Sequence, residues 1–309
     1  MEVSKSKMKI FVTGGTGFIG QHVIKQLVKD KHTLLLLCLE NEELPYSIKT
    51  SKTVQILRND LSNIDIWKKE VEHFKPQTTI HMAWEGIPNY DYKTSMRNLI
   101  YGLNLITMLA EMGCKCVLCT GSCWEYGQKS GRLNEDSEVK PSNAFTAAKN
   151  SLHLMGREIA KENDMKFIWT RLFYVYGPEQ KGHSLIPHII NAIRYGNTPD
   201  IKTPHSRNDF VYVEDVANAI SMLTTKDPKG EIYNIGLGHS TAVADIINMV
   251  YRYYGLNKKY VSAYEISTDI VQTDFWADIT RIKKDVGWEP KFNVEKGIEK
   301  TIEYYKKIT

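Results

Sequence analysis

The chain has 309 residues, 42% of them hydrophobic and 25% charged, an ordinary globular composition that excludes a disordered, collagen-like or coiled-coil chain. Forty basic residues against 36 acidic ones leave a formal charge of +4 without a block of like charge, which argues against nucleic acid as a partner. The longest apolar run, Leu34 to Leu39, is far too short to cross a bilayer.

The elements alternate from the start. Lys9 to Thr13 reads as a strand, Phe18 to Asp30 as a helix, and His32 to Leu39 and Val54 to Leu57 as strands. Helical spacing returns over Ile64 to Phe74, followed by a strand at Thr78 to Met82, a long helix over Lys93 to Met112 and a strand at Cys116 to Cys119. A helix from Ala144 to Glu162 precedes a strand at Lys166 to Leu172. Apolar strands separated by helices predict a parallel sheet covered on both faces, a Rossmann-type doubly wound α/β fold.

After Gly177-Pro178 the rhythm changes. Leu185 to Tyr195 reads as helix, Asp209 to Val213 as strand, Val216 to Leu223 as helix, Glu231 to Ile235 as strand and Val243 to Tyr254 as amphipathic helix. The pattern predicts a large unit over 1–174, with segments near 209–235 returning to it. A smaller α/β lobe over 175–309 would supply a substrate cleft.

Two further features bear on location and chemistry. The opening stretch Met1 to Lys7 lacks the apolar core of a secretory signal, so a cytoplasmic protein is expected. Five cysteines, an odd number with four of them at 114, 116, 119 and 123, suit a reducing compartment. Cys116 and Cys119 have the spacing of a metal pair. On a strand, however, they point to opposite faces, and no second pair completes a site, so no metal is expected.

Gly14, Gly17 and Gly20 follow a strand and open a helix. Gly14 permits the tight turn, Gly17 a close approach to a pyrophosphate, and Gly20 the packing of helix on strand; the helix N-terminus offers its N–H groups to the anion. This predicts a bound dinucleotide, NAD or NADP. The acid expected at the tip of the second strand falls at Cys38, with Glu40 two residues later, and no Arg or Lys lies between His32 and Lys49. That arrangement leans toward NAD.

Several stretches together carry a family resemblance: TGGTGFIG at Thr13 to Gly20, Asp60-Leu61, Ile80 to Ala83, Asn98, TGSCWEYG at Thr120 to Gly127 and Phe145 to Lys149. RLFYVYGP at Arg171 to Pro178, RNDFVYVEDV at Arg207 to Val216 and YNIGLG at Tyr233 to Gly238 complete them. The chain resembles the extended short-chain dehydrogenase/reductases of the epimerase/dehydratase group, which act on nucleotide sugars. The resemblance implies cofactor contacts from Gly14, Gly17, Phe18, Ile19, Gly20, Glu40, Asp60, Leu61, Met82, Ala83 and Lys149. It implies a nucleotide-diphosphate sugar as substrate, met by Trp84, Glu85, Ser122, Cys123, Trp124, Tyr174 and Arg207. It also implies a homodimer formed through the helices 93–112 and 144–162. Asn98 would either orient the active-site helix or decorate a surface.

In that family a Ser or Thr at position 122 bonds the reacting oxygen, and a Tyr four residues before Lys149 is the general acid/base. Helical spacing puts the two on one face. Position 145 is Phe here. Three readings follow: a tyrosine replaced to trap a bound complex, a natural enzyme drawing its acid from Tyr174, Tyr126 or Cys123, or a protein that binds without turnover. The first is favoured, since Ser122, Lys149 and the glycine turn have little purpose together without catalysis.

The family's dehydratases carry Asp-Glu directly after the catalytic Ser/Thr, whereas here Cys123 and Trp124 stand there, and Glu125 on an extended segment would face away. Reduction of a 4-keto-6-deoxy sugar is therefore expected, with 4-epimerisation through a transient ketone as the alternative and a non-catalytic NAD(P)-binding scaffold as a further one. Arg207 falls one residue early in the family's Arg-Asp-Phe pattern, and a later Arg-x-Gly-Asp is missing around Asp269 to Asp274.

Overall fold

The sequence pattern of apolar strands and intervening helices is realised in a computed structural model that describes residues 7–261 and 273–308. The elements of the first half are β1 (Lys9–Thr13), α1 (Phe18–Lys29), β2 (Thr33–Cys38), α2 (Tyr46–Lys49), β3 (Val54–Arg58), α3 (Ile64–Phe74), β4 (Thr78–His81), α4 (Tyr92–Glu111) and β5 (Cys116–Ser122). Then come β6 (Ser130–Leu133), α5 (Ala144–Glu162), β7 (Lys166–Leu172), β8 (Tyr174–Tyr176), α6 (Leu185–Arg194), β9 (Arg207–Asn208), β10 (Phe210–Tyr212), α7 (Val213–Thr225) and β11 (Ile232–Ile235). The chain closes with β12 (Thr241–Ala242), α8 (Val243–Tyr253), β13 (Asp274–Ala277), α9 (Thr280–Val286) and α10 (Val294–Lys307).

Seven parallel strands form the main sheet in the order β11-β7-β5-β4-β1-β2-β3. The strand order reverses between β1 and β4, the place where open α/β sheets bind ligands at the carboxyl ends of their strands. Alternation along each strand feeds two cores. Ile10, Val12, Leu118 and Ile168 pack with Val23, Ile24, Ala217 and Ile220 of α1 and α7 on one face. Phe11, Val117, Phe167 and Trp169 pack with Trp67, Leu105 and Leu152 of α3, α4 and α5 on the other. Cys116 borders the first core and Cys119 lies in the second, so the two thiols sit on opposite faces of the sheet. Among the described residues no group of three or more His, Cys, Asp or Glu is arranged to hold a metal, and no helix is long and apolar enough to cross a membrane.

A third core joins α6, α8 and α10 through Ile189, Ile190, Ile246, Ile247, Ile298 and Ile302. β11 returns to the main sheet beside β7, and α7 packs on α1. The strand expected over 209–213 is shorter and the helix after it starts three residues earlier, at Val213. Glu214 and Asp215 in that first turn favour an early helix start, since carboxylates are stabilised at a helix N-terminus. Asp215 also accepts the Lys291 and Phe292 backbone N–H groups (both 3.0 Å) and ties α7 to the chain before α10. The segment 269–272, part of the stretch where the Arg-x-Gly-Asp pattern is missing, lies outside the described residues.

Candidate active site

A trough of about 720 Å³ runs along the carboxyl ends of β1, β2 and β4, lined among others by Gly14, Gly17, Phe18, Cys38, Glu42, Asp60, Leu61, Met82, Ala83, Trp84 and Glu85. Gly14 has φ +72°, and a Cβ there would lie 2.5 Å from the Ala83 nitrogen. At Gly20 a Cβ would lie 2.1 Å from the Gly14 carbonyl oxygen. The turn is thus closed by backbone on both sides. Gly17 meets only the Gly14 oxygen, at 3.4 Å, and lines the trough. Ile19 packs into the core and Gly20 lies behind the turn, so neither faces the trough.

At the tip of β2 the expected acid is displaced by two residues: Glu42 lines the trough and Glu40 does not. Arg58, at the end of β3, causes this by folding the tip over itself. Its guanidinium donates to the carbonyls of Leu39 (2.9 Å), Glu40 (2.7 Å) and Glu42 (3.3 Å). Asp60 caps a short 3-10 turn, accepting from Ser62 N at 2.7 Å.

The loop after β4 brings Trp84 to the end of the trough. Asn98, buried on α4, holds this loop by accepting from Glu85 N (2.8 Å) and donating to Glu85 O (3.2 Å). Its role is to position the Trp84–Glu85 corner rather than to decorate a surface. The Glu85 carboxylate itself is exposed and paired with Arg97.

At the end of β5 the chain turns through Cys123–Tyr126 as one 3-10 turn, not the extended segment expected. Ser122 is its N-cap: its hydroxyl accepts from Trp124 N at 3.2 Å, while Ser122 N donates to Glu125 Oε1 at 2.7 Å. The turn rotates Glu125 beneath the site, where it is fully buried and paired with Arg171 at 3.0 Å. Trp169 Nε1 also donates to both its oxygens, at 3.2 and 3.1 Å. Cys123, expected to meet substrate, is buried among Tyr126, Leu133, Phe173 and Phe275, and burial pushes its thiol well up.

Lys149 and Phe145 lie one helical turn apart on α5, both buried. The Lys149 ammonium donates to Thr120 O at 2.7 Å, two residues before Ser122, and sits 4.0 Å from the Trp84 ring centre. Burial lowers it to about 8. The ring of Phe145 is edge-on to Trp84 (5.5 Å) and Trp124 (6.3 Å) and tilted against Tyr90 (5.1 Å). Tyr174 accepts from Trp124 Nε1 at 3.2 Å. Tyr90 is therefore a member of this aromatic cluster that the motif reading missed. It lies in a loop of no fixed spacing, and only its neighbourhood to Asp91, the cap of α4, hints at a held position.

Two of the acids considered for a natural enzyme are committed elsewhere. Tyr126 has no exposed surface, bonds Asn234 Oδ1 at 2.8 Å and accepts from Arg171 at 3.1 Å, and Cys123 is in the core. Arg207 is on a different sheet. It bonds Ser240 O at 3.0 Å, lies 3.9 Å from Asp245 and 3.8 Å from Asp274, and lines a second cavity that shares no residue with the trough.

The comparisons with known proteins agree with this architecture. A mouse dTDP-D-glucose 4,6-dehydratase is 25% identical, over 97% of this chain and 89% of that protein. A dTDP-4-dehydro-6-deoxyglucose reductase of Escherichia coli is 25% identical, over 96% and 97%. The crystal structure of UDP-glucose 4-epimerase from Thermotoga maritima with UDP-glucose superposes with a TM-score of 0.85 at 24% identity, covering 97% of this chain and 99% of that one. The model of the NAD dependent epimerase/dehydratase family matches residues 10–236, so the chain belongs to that family.

Proposed function

We propose that the chain reduces the ketone of a nucleotide-linked 4-keto-6-deoxy sugar, with NAD as its dinucleotide. The observation that carries this reading is the turn after β5. Ser122 offers a half-buried hydroxyl, but Cys123 is buried, Trp124 leans on Tyr174, and Glu125 is held by Arg171. Dehydration needs an additional acid and base beside the sugar, and this turn offers no exposed carboxylate. Reduction needs only a hydride and one proton.

The trough fits a dinucleotide, because the backbone cradle at Gly14 and Gly20 has no room for a Cβ. When bound, that group supplies the hydride chemistry. Glu42 in the trough, with Arg58 committed to three carbonyls, favours a free ribose hydroxyl over a 2′-phosphate and so NAD over NADP. Ser122 accepts from Trp124 N and keeps its own proton for the sugar's C-4 oxygen. Lys149 would hold the cofactor's ribose, and Trp84, Trp124 and Tyr174 would shape the sugar pocket.

A tyrosine replaced at position 145 accounts for Ser122 and Lys149 standing beside a ring that has no hydroxyl. In a second reading phenylalanine is resident, packed among three rings, and the proton comes from another element. The test is incubation with NADH and a panel of nucleotide-linked 4-keto sugars. One NADH consumed per ketone lost is expected. Product without net cofactor oxidation, from protein purified with its cofactor, would assign epimerisation instead. Ligand binding with no oxidation across the panel would leave a scaffold.

The chain is further proposed to be a homodimer. α4 and α5 pack side by side, and each exposes large apolar side chains, Met96 and Ile100 on one and Leu154 and Met155 on the other. A second copy would bury these in a four-helix bundle. A monomeric mass in solution at micromolar concentration overturns this.

A further inference from the structure

We propose that Tyr90 donates the proton that position 145 cannot, a role resting on the ketone-reductase reading with phenylalanine resident at 145. Its ring packs on Phe145 at 5.1 Å and on Trp124 at 5.4 Å. It is therefore a direct neighbour of the ring at the position where a family member would present its acid. The phenol is half-buried, and among the described residues its hydroxyl has no hydrogen-bond partner. The loop that carries it is held at both ends. Asn98 grips Glu85, and Asp91, the next residue after Tyr90, accepts from Thr94 N at 2.9 Å to cap α4.

The direction of proton transfer follows from what surrounds the phenol. Lys149, the cation that would acidify a tyrosine at 145, is turned to Thr120 O and the Trp84 ring. Burial raises the Tyr90 phenol above its ordinary value, and its titratable neighbour by electrostatics is another phenol, Tyr174, rather than a cation. A phenol that stays protonated at neutral pH can give a proton to a developing alkoxide, whereas it cannot begin an oxidation by taking one. The sugar's carbonyl carbon accepts a hydride from the reduced dinucleotide, which is oxidised by two electrons. The carbonyl oxygen takes the Tyr90 proton, and the phenolate recovers a proton from water. Such a donor serves a reductase and not an epimerase, whose first step requires a base.

The experiment compares the parent chain with Tyr90→Phe, Tyr174→Phe and the double variant Tyr90→Phe/Phe145→Tyr, using NADH and a 4-keto sugar that the parent reduces. Tyr90→Phe is expected to lower kcat by about 10²- to 10⁴-fold, the usual contribution of a general acid. It should also weaken binding of the keto sugar to the cofactor-free chain by about two- to tenfold, the loss of one neutral hydrogen bond. The double variant should regain at least a tenth of the parent rate. A kcat within threefold of the parent, unchanged sugar affinity, no recovery in the double variant, or an equal loss in Tyr174→Phe each overturns the assignment to Tyr90. A parent chain that binds the sugars yet oxidises no NADH overturns the reductase reading itself.

Discussion

The Lys149 ammonium lies 4.0 Å from the centre of the Trp84 ring and donates to the Thr120 carbonyl. One indole thus touches both the dinucleotide trough and the cation behind it. Burial brings this lysine down to about 8 from its ordinary 10.5. The cation–π contact is therefore present below that pH and lost above it. The Trp84 contribution to fluorescence, taken as the difference from Trp84→Phe, should titrate with a midpoint near pH 8, and Lys149→Met should abolish the step. Between about pH 8 and 10.5 the unfolded chain holds this proton and the folded chain does not, so the Lys149 contribution to stability rises with pH across that window.

Gly20→Ala places a methyl group where the Gly14 carbonyl oxygen already sits. Overpacking of this kind costs about 1–3 kcal/mol of folding stability, which a urea titration should read, and the displaced turn should also lower NAD affinity measured by calorimetry. Gly17→Ala is the contrast. Its Cβ would make only an ordinary 3.4 Å contact with the turn, so unfolding stability should change by less than about 1 kcal/mol. Its methyl faces the trough, and the loss should appear in dinucleotide affinity alone.

Glu125→Ala leaves the Arg171 guanidinium buried without its carboxylate. Breaking a buried pair from one side costs about 3–5 kcal/mol, which a urea titration would read directly. Glu125→Gln keeps acceptor capacity for Ser122 N and Trp169 Nε1 and should lose less. Equal stability of Glu125→Ala and the parent would mean that this pair does not support the turn under Ser122.

Parts of this molecule could be read residue by residue. The glycine turn is local: strand, three glycines and helix are contiguous, and each spacing has a mechanical reason that needs no other part of the chain. The doubly wound sheet was equally legible, because a strand buried on both faces must be apolar throughout, as Leu34 to Leu37 are. Short elements were not. β6, β8, β9, β12 and β13 have two to four residues each, too few for alternation to register. Val294, Ile298, Ile302 and Tyr305 carry the spacing of α10, a helix beyond the elements expected from the sequence, which end at Tyr254.

The amino-acid order alone determined the family motifs and the phenylalanine at position 145, since both are matters of which residue follows which. Only the tertiary structure decided what faces the site. It sent Cys123 into a core, set Arg207 beside Asp274 in the smaller sheet and Asp245 of α8, replaced Glu40 by Glu42 through a guanidinium from β3, and set Tyr90 against Phe145 across 55 positions of chain. Those outcomes depend on burial and on partners distant in sequence, which local spacing does not encode.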